Sequence, residues 1–299
     1  MWETALAFAI WGSYGSALTA AHIDPALTAI ARSAGLGILL ATVSAAIARL
    51  RGPREITAAI PWQSGALWLS GSVLLVDEVL YSVSAVSGPV AIIGLAYGCV
   101  PILTPLLSRL AGTDRAGSMR LRHWICLAMA FAGNVMVFSE LQAAQIRFTL
   151  AAVFAFLAGL LFTLMPVCSA KLQQAGLGTW AVLKSQGAVA AVLAVPLLAL
   201  LITVGVVSLG GPGHGAVVTR SIEVGAINAV VFTMTPFYLW YRGIARCGVA
   251  RTSICAFAEP LVATLFSLFV LKDAPVTPLL IAGAGLVLCG IAVSAWSSD

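Results

Sequence analysis

Apolar residues run in near-continuous tracts from Trp2 to Trp296, and polar residues are confined to the short breaks between them. A tract of about 20 apolar residues crosses a hydrocarbon core roughly 30 Å thick when wound as a helix. The pattern predicts helices at 2–20, 26–48, 64–86, 88–110, 121–140, 148–168, 178–207, 222–242, 248–271 and 276–296. The breaks HIDP, RGPRE, SGP, AGTDRAGS, QAGLG, GGPGHG and DAP carry turn chemistry. The expected fold class is an all-α integral membrane protein with ten transmembrane helices.

Composition agrees. Of 299 residues, 61% are drawn from AVILMFWYC and 9% are charged, against about 25% charged in a soluble domain; mean hydropathy is +1.03. Ten helices of about 22 residues leave about 80 residues for loops and ends, too few for a soluble catalytic domain, so an enzyme is not expected. The first tract, from Leu6, follows no basic stretch and leads into His22, Asp24 and Pro25 without a cleavage signal, which predicts a retained helix.

The net charge of +5 would suggest nucleic acid in a soluble protein, but here it reads as topology, and no nucleic-acid partner is expected. Arg49, Arg51 and Arg54 share one loop, Arg109, Arg115, Arg120 and Arg122 another, Lys171 a third, and Arg242, Arg246 and Arg251 a fourth. The alternate loops hold little beyond Arg147, Arg220 and Lys272. The richer loops, and with them both termini, are expected in the cytoplasm. The six cysteines lie singly within apolar tracts, so neither disulfides nor a metal is expected. GxxxxGK[ST] and HExxH are absent, and His22, His123 and His214 fall in or beside loops. No cofactor and no direct use of ATP are expected.

Residues 1–145 and 146–299 read as two five-helix repeats. Aligning Pro101 with Pro260 places GCVPILTPLLSRLAGTD over FAEPLVATLFSLFVLKD, RSAG from Arg32 falls over KSQG from Lys184, and Gly12 falls over Gly159. Five is odd, so the second repeat must enter the membrane inverted. Such an inverted pair is an alternating-access signature rather than an enzyme signature.

Arg32, Asp77, Glu78, Lys184 and Glu259 fall well inside the spans. A charge there costs roughly 2.5–3.5 kcal/mol, so these residues should face a wet cavity or one another. Arg32 and Lys184 could receive a substrate carboxylate and the acids an ammonium. Alternatively, Arg32 pairs with Asp77 or Glu78 and ties two helices together, while Lys184 snorkels toward the cytoplasm. Asp77 and Glu78 point about 100° apart on a helix, so one of them is expected to face the cavity. Glu259, just before Pro260, is either a substrate or proton contact or a bond between helices.

Among the aromatic residues, Trp11, Tyr14, Tyr81 and Tyr97 are candidate cavity walls, with a lipid-facing or inter-helix packing role as the alternative for Trp11 and Tyr14. Tyr238, Trp240 and Tyr241, near a loop, are expected in the interfacial belt. Pro101, Pro105, Pro236 and Pro260 interrupt three helices, and Pro89 starts another. They are candidate hinges or static kinks.

WGSYG (Trp11 to Gly15), Pro25 followed by Arg32, and AEPLVATLFSLFVLKDAPVTPLLIAGAGLVLCGIAV with an acidic turn at Asp273 resemble the drug/metabolite transporter superfamily in its ten-helix EamA branch. Within it the length and the WGSYG opening look most like the bacterial aromatic amino-acid exporters of the YddG type. The resemblance implies two inverted five-helix repeats around a cavity, and a small-molecule partner exported across a bacterial inner membrane. Aromatic and other neutral amino acids are the implied substrates, with a broader drug or metabolite exporter as the alternative.

Overall fold

Prolines and short polar side chains start helices where the sequence breaks predict them. Pro25 opens its helix at the position where a missing amide is harmless, and the Asp24 carboxylate accepts the Leu27 amide at 2.8 Å. Thr277 does the same for the last helix, its hydroxyl accepting the Leu280 amide at 3.1 Å. The fold is that of a computed structural model described over residues 1–19, 21, 23–51, 59–87, 97–114, 120–141, 150–209, 214–266, 269 and 277–296.

Helix α1 spans Trp2–Thr19, α2 Pro25–Arg51, α3 Gly65–Ser87, α4 Val100–Leu110, α5 Leu121–Leu141, α6 Leu150–Phe162, α7 Leu164–Gln174 and α8 Thr179–Thr203. Helix α9, His214–Asn228, passes through a π-helical turn, Ala229–Met234, into α10, Thr235–Cys247. Then follow α11, Val249–Ser253, a 3-10 turn, Ile254–Phe257, α12, Ala258–Phe266, and α13, Pro278–Trp296. Gly248, at φ 82°, ends α10 in a conformation other residues avoid. Strands are absent among the described residues.

Six spans among these residues are long and apolar enough to cross a membrane: Pro25–Leu50, Gly65–Ser87, Leu150–Gln174, Thr179–Thr203, His214–Cys247 and Pro278–Trp296. The helix expected at 222–242 begins earlier, at His214, because Arg220 and Glu223, three apart, share an exposed face and so do not interrupt it. The helix expected at 248–271 is broken instead into α11, the 3-10 turn and α12. The expectations placed on His22, Arg54, Pro89, Arg115, Arg147, Lys272 and Asp273 fall outside the described residues.

With no water to expel between membrane helices, close backbone approach holds them together, and glycine allows it. Helix α2 meets α8 where a methyl group on Gly37 would strike the Gly187 carbonyl, and α5 meets α13 where one on Gly133 would strike the Gly283 carbonyl. Ile38, Phe156, Val195, Ile281 and Val293 are exposed around the outside, as a hydrocarbon solvent permits. One end of the bundle gathers the chain start with later loops: Glu3 pairs with Arg242 at 3.2 Å and Arg246 at 3.0 Å, and Gln174 donates to the Thr113 carbonyl at 3.1 Å. At the opposite end the Asp24 amide donates to Ser221.

Candidate functional site

The site begins with a missing proton. Pro236 has no amide to offer the carbonyl four residues back, that of Phe232, and the π-helical turn lies over this stretch. The freed Phe232 oxygen accepts Nη2 of Arg32 at 2.6 Å and the indole Nε1 of Trp11 at 2.7 Å. Arg32 Nε donates to the Thr233 hydroxyl, and Nη1 pairs with Glu78. The face of the guanidinium lies 4.1 Å above the Tyr14 ring, a cation–π contact. Arg32 is 1% exposed and the Glu78 side chain 6%, so the pair joins α2, α3 and the π-helical turn out of water. Pro105 acts similarly: it frees the Pro101 carbonyl, which accepts the Ser253 hydroxyl at 3.3 Å and ties α4 to α11.

Around this node lies a cavity lined by Trp11, Tyr14, Arg32, Asp77, Glu78, Tyr81, Tyr97, Phe162, Phe237 and Glu259. It measures about 20 Å³, room for about one water, so in this conformation the lining side chains close on one another. Tyr97 donates to Asp77 at 2.6 Å. Tyr14 stacks on Tyr81 at 5.4 Å and its hydroxyl lies 3.3 Å from that of Ser82; Tyr81 meets Tyr97 edge-on at 5.4 Å. Glu259 is buried, lines the cavity, and has no hydrogen-bond or ion-pair partner among the described residues.

Toward the end holding Met1, the cavity is capped by rings. Trp11 packs edge-on against Phe8, Phe162, Phe237 and Trp240, and Trp240 stacks on Phe162 at 5.1 Å. Beyond the cap a vestibule of about 410 Å³ is lined by Thr113, Gln173, Gln174, Thr179, Arg246 and Gly248. Gln173 donates to the Tyr241 carbonyl at 3.0 Å. The neighbouring residues Trp240 and Tyr241 thus stand between vestibule and cavity.

Of the candidates read from sequence, Trp11, Tyr14, Arg32, Asp77, Glu78, Tyr81, Tyr97 and Glu259 come together around this one cavity, and Lys184 is not among its lining residues. Lys184 is half-buried in the second turn of α8. Both Asp77 and Glu78 line the cavity, where one was expected to turn away. Divergence on the helix is accommodated because Tyr97 meets one and Arg32 the other. Trp240 and Tyr241 are buried at 1% and 0% exposure rather than lying in an interfacial belt, since α10 turns that face onto the aromatic cap. Phe162, Phe237, Thr233 and Ser82 were not anticipated. Pro236 was the available pointer to Phe232 and Thr233, by its offset of four.

Residues 149–296 match the EamA-like transporter family. No curated protein matches the chain. A solved crystal structure matches it with a TM-score of 0.70 at 22% identity, covering 98% of this chain and 96% of that one; at that identity the likeness is one of fold, along nearly the whole chain. The chain is thus a multi-pass helical membrane protein whose residues 149–296 match the EamA-like transporter family.

Proposed function

We propose that this chain is a secondary exporter of amino acids, aromatic and other neutral ones, working by alternating access across a bacterial inner membrane with both termini in the cytoplasm. The observation that carries the reading is the cavity itself: polar and charged groups from α2, α3 and α12 converge with tyrosine and tryptophan rings at the depth where several helices are irregular. An amino acid presents the matching combination of charge and ring.

The reading takes 1–145 and 146–299 as inverted five-helix repeats. In a two-fold arrangement, elements on the axis meet their own counterparts, and three such meetings support it: α2 with α8 at Gly37 and Gly187, α5 with α13 at Gly133 and Gly283, and α4 with α11 at Pro101 and Ser253. The Trp240–Phe162 stack is the inner gate, closing the cavity from the cytoplasmic vestibule. Pro101, Pro105, Pro236 and Pro260 are the flex points, because each leaves a backbone carbonyl free to change partners. Purified protein in liposomes, offered labelled phenylalanine, leucine, lysine, glutamate and a cationic dye under defined pH gradients, tests the reading. Unchanged label accumulating for phenylalanine and leucine supports it; failure to move any amino acid overturns it.

A further inference from the structure

Three carboxylic side chains and one guanidinium line the cavity, and their partners divide them unequally. Every nitrogen of Arg32 is engaged: Nε by Thr233, Nη2 by the Phe232 carbonyl and Nη1 by Glu78, with Tyr14 under its face. A ligand carboxylate approaching the Nη1 edge of the guanidinium would have to compete with Glu78. On the acidic side, Glu78 is matched by Arg32 and Asp77 accepts the Tyr97 hydroxyl. Glu259 is 7% exposed, lines the cavity and is met by neither cation nor donor among the described residues. Its electrostatic neighbours are Asp77, Glu78, Tyr81 and Tyr97, three of them acids or phenols that offer it no positive charge and the fourth, Glu78, an acid already paired. The walls beside it are the rings of Tyr81, Tyr97 and Phe162, the last two 5.5 Å apart.

An unmatched buried carboxylate among aromatic faces is the chemistry that receives an organic ammonium, with charge opposite the acid and C–H or N–H edges against the rings. We infer that the cavity recognises the ammonium end of its ligand through Glu259 and the tyrosine walls, that the ligand's carboxylate is not read by Arg32, and that aromatic amines lacking a carboxylate are therefore ligands of the same site. This rests on the cavity being the substrate site proposed above, and it narrows that reading: the required features are a cation and a ring, and the carboxylate is dispensable.

A series with a common ring and varied charge tests it: 2-phenylethylamine, phenylalanine and 3-phenylpropionate. Each is measured with the full chain, for binding by quenching of tryptophan fluorescence in detergent and for uptake into proteoliposomes. The amine is expected to bind at least as well as phenylalanine, and 3-phenylpropionate not at all. Glu259→Gln should weaken amine binding about tenfold or more, the scale of one charge-assisted hydrogen bond, and Glu259→Asp should restore part of it, both variants being checked for a monodisperse elution profile and wild-type helicity. Amine binding that Glu259→Gln leaves unchanged overturns the inference. Transport of phenylalanine without binding of the amine overturns it too, and leaves the exporter reading standing. Amine binding abolished in Glu259→Gln, without transport of any compound, upholds the ammonium site and overturns the exporter reading. Binding of 3-phenylpropionate alone, or of none of the three, overturns the inference.

Discussion

Replacing Arg32 with glutamine removes one charge from a node in which every group but Glu78 keeps a partner, so its cost can be assigned. Glu78 is left buried opposite a neutral amide, and breaking a buried ion pair in this way costs about 3–5 kcal/mol. The remaining losses are small. The Phe232 carbonyl retains the Trp11 indole, and the Thr233 hydroxyl retains its own acceptor, the Asn228 carbonyl at 3.2 Å. Arg32→Gln should therefore destabilise the protein by about 3–5 kcal/mol, of which about 1 kcal/mol comes from the severed hydrogen bonds. Neutralising the acid as well, in Arg32→Gln/Glu78→Gln, should recover about half, a coupling of about 2 kcal/mol. Equilibrium unfolding in mixed micelles of a neutral detergent and SDS reads both numbers. A single-variant loss below about 1 kcal/mol, or additive effects in the double variant, would refute the assignment of Arg32 to the ion pair.

Four further outcomes are expected. Gly37→Leu, which drives a side chain into the Gly187 carbonyl, should abolish accumulation of folded protein, whereas Gly285→Ala, with open space around it, should leave yield and melting unchanged; size-exclusion profiles distinguish them. In a Pro236→Ala background the new amide competes for the Phe232 carbonyl, so the cost of Arg32→Gln should fall by about 1 kcal/mol in the same unfolding assay, and strict additivity would reject the proline's role. Tyr97→Ala should weaken transport of phenylalanine and tryptophan several-fold more than that of small neutral amino acids, since stacking on a ring face contributes about 0.5–1.5 kcal/mol beyond burial, while Tyr97→Phe should preserve that ranking; competitive uptake measures both. Without native thiols, Ala175→Cys should resist an impermeant maleimide applied to intact cells and Leu209→Cys should react, and the reverse pattern would overturn the orientation.

The helix ends at Pro25 and Pro278 were legible because capping and proline chemistry act over three or four residues. The break in the helix beginning at Val249 was not, since the 3-10 turn at Ile254–Phe257 consists of apolar residues that a hydropathy pattern cannot tell from regular helix. Eight site residues could be read as charges and rings that a lipid-facing position would penalise. Phe162 and Phe237 could not, because a phenylalanine is equally at home against lipid or a cavity, and only the packing of α6 and α10 against α1 decides. Lys184 shows the converse: its place in a repeat suggested a partner role to Arg32, but half-burial near a helix end gives its ammonium a route to water that Arg32 lacks.

The Arg32–Glu78 pair also bears on how the chain is made. Each residue alone would burden its helix by roughly 2.5–3.5 kcal/mol on entering the bilayer, yet they sit in consecutive helices, α2 and α3, and face each other. Leaving the translocon as a hairpin, those two helices neutralise one another's charge long before the ribosome reaches Phe232 and Thr233. The nascent first half can therefore wait in the membrane with its arginine already masked, and the late arrival of the π-helical turn completes the node rather than rescuing it.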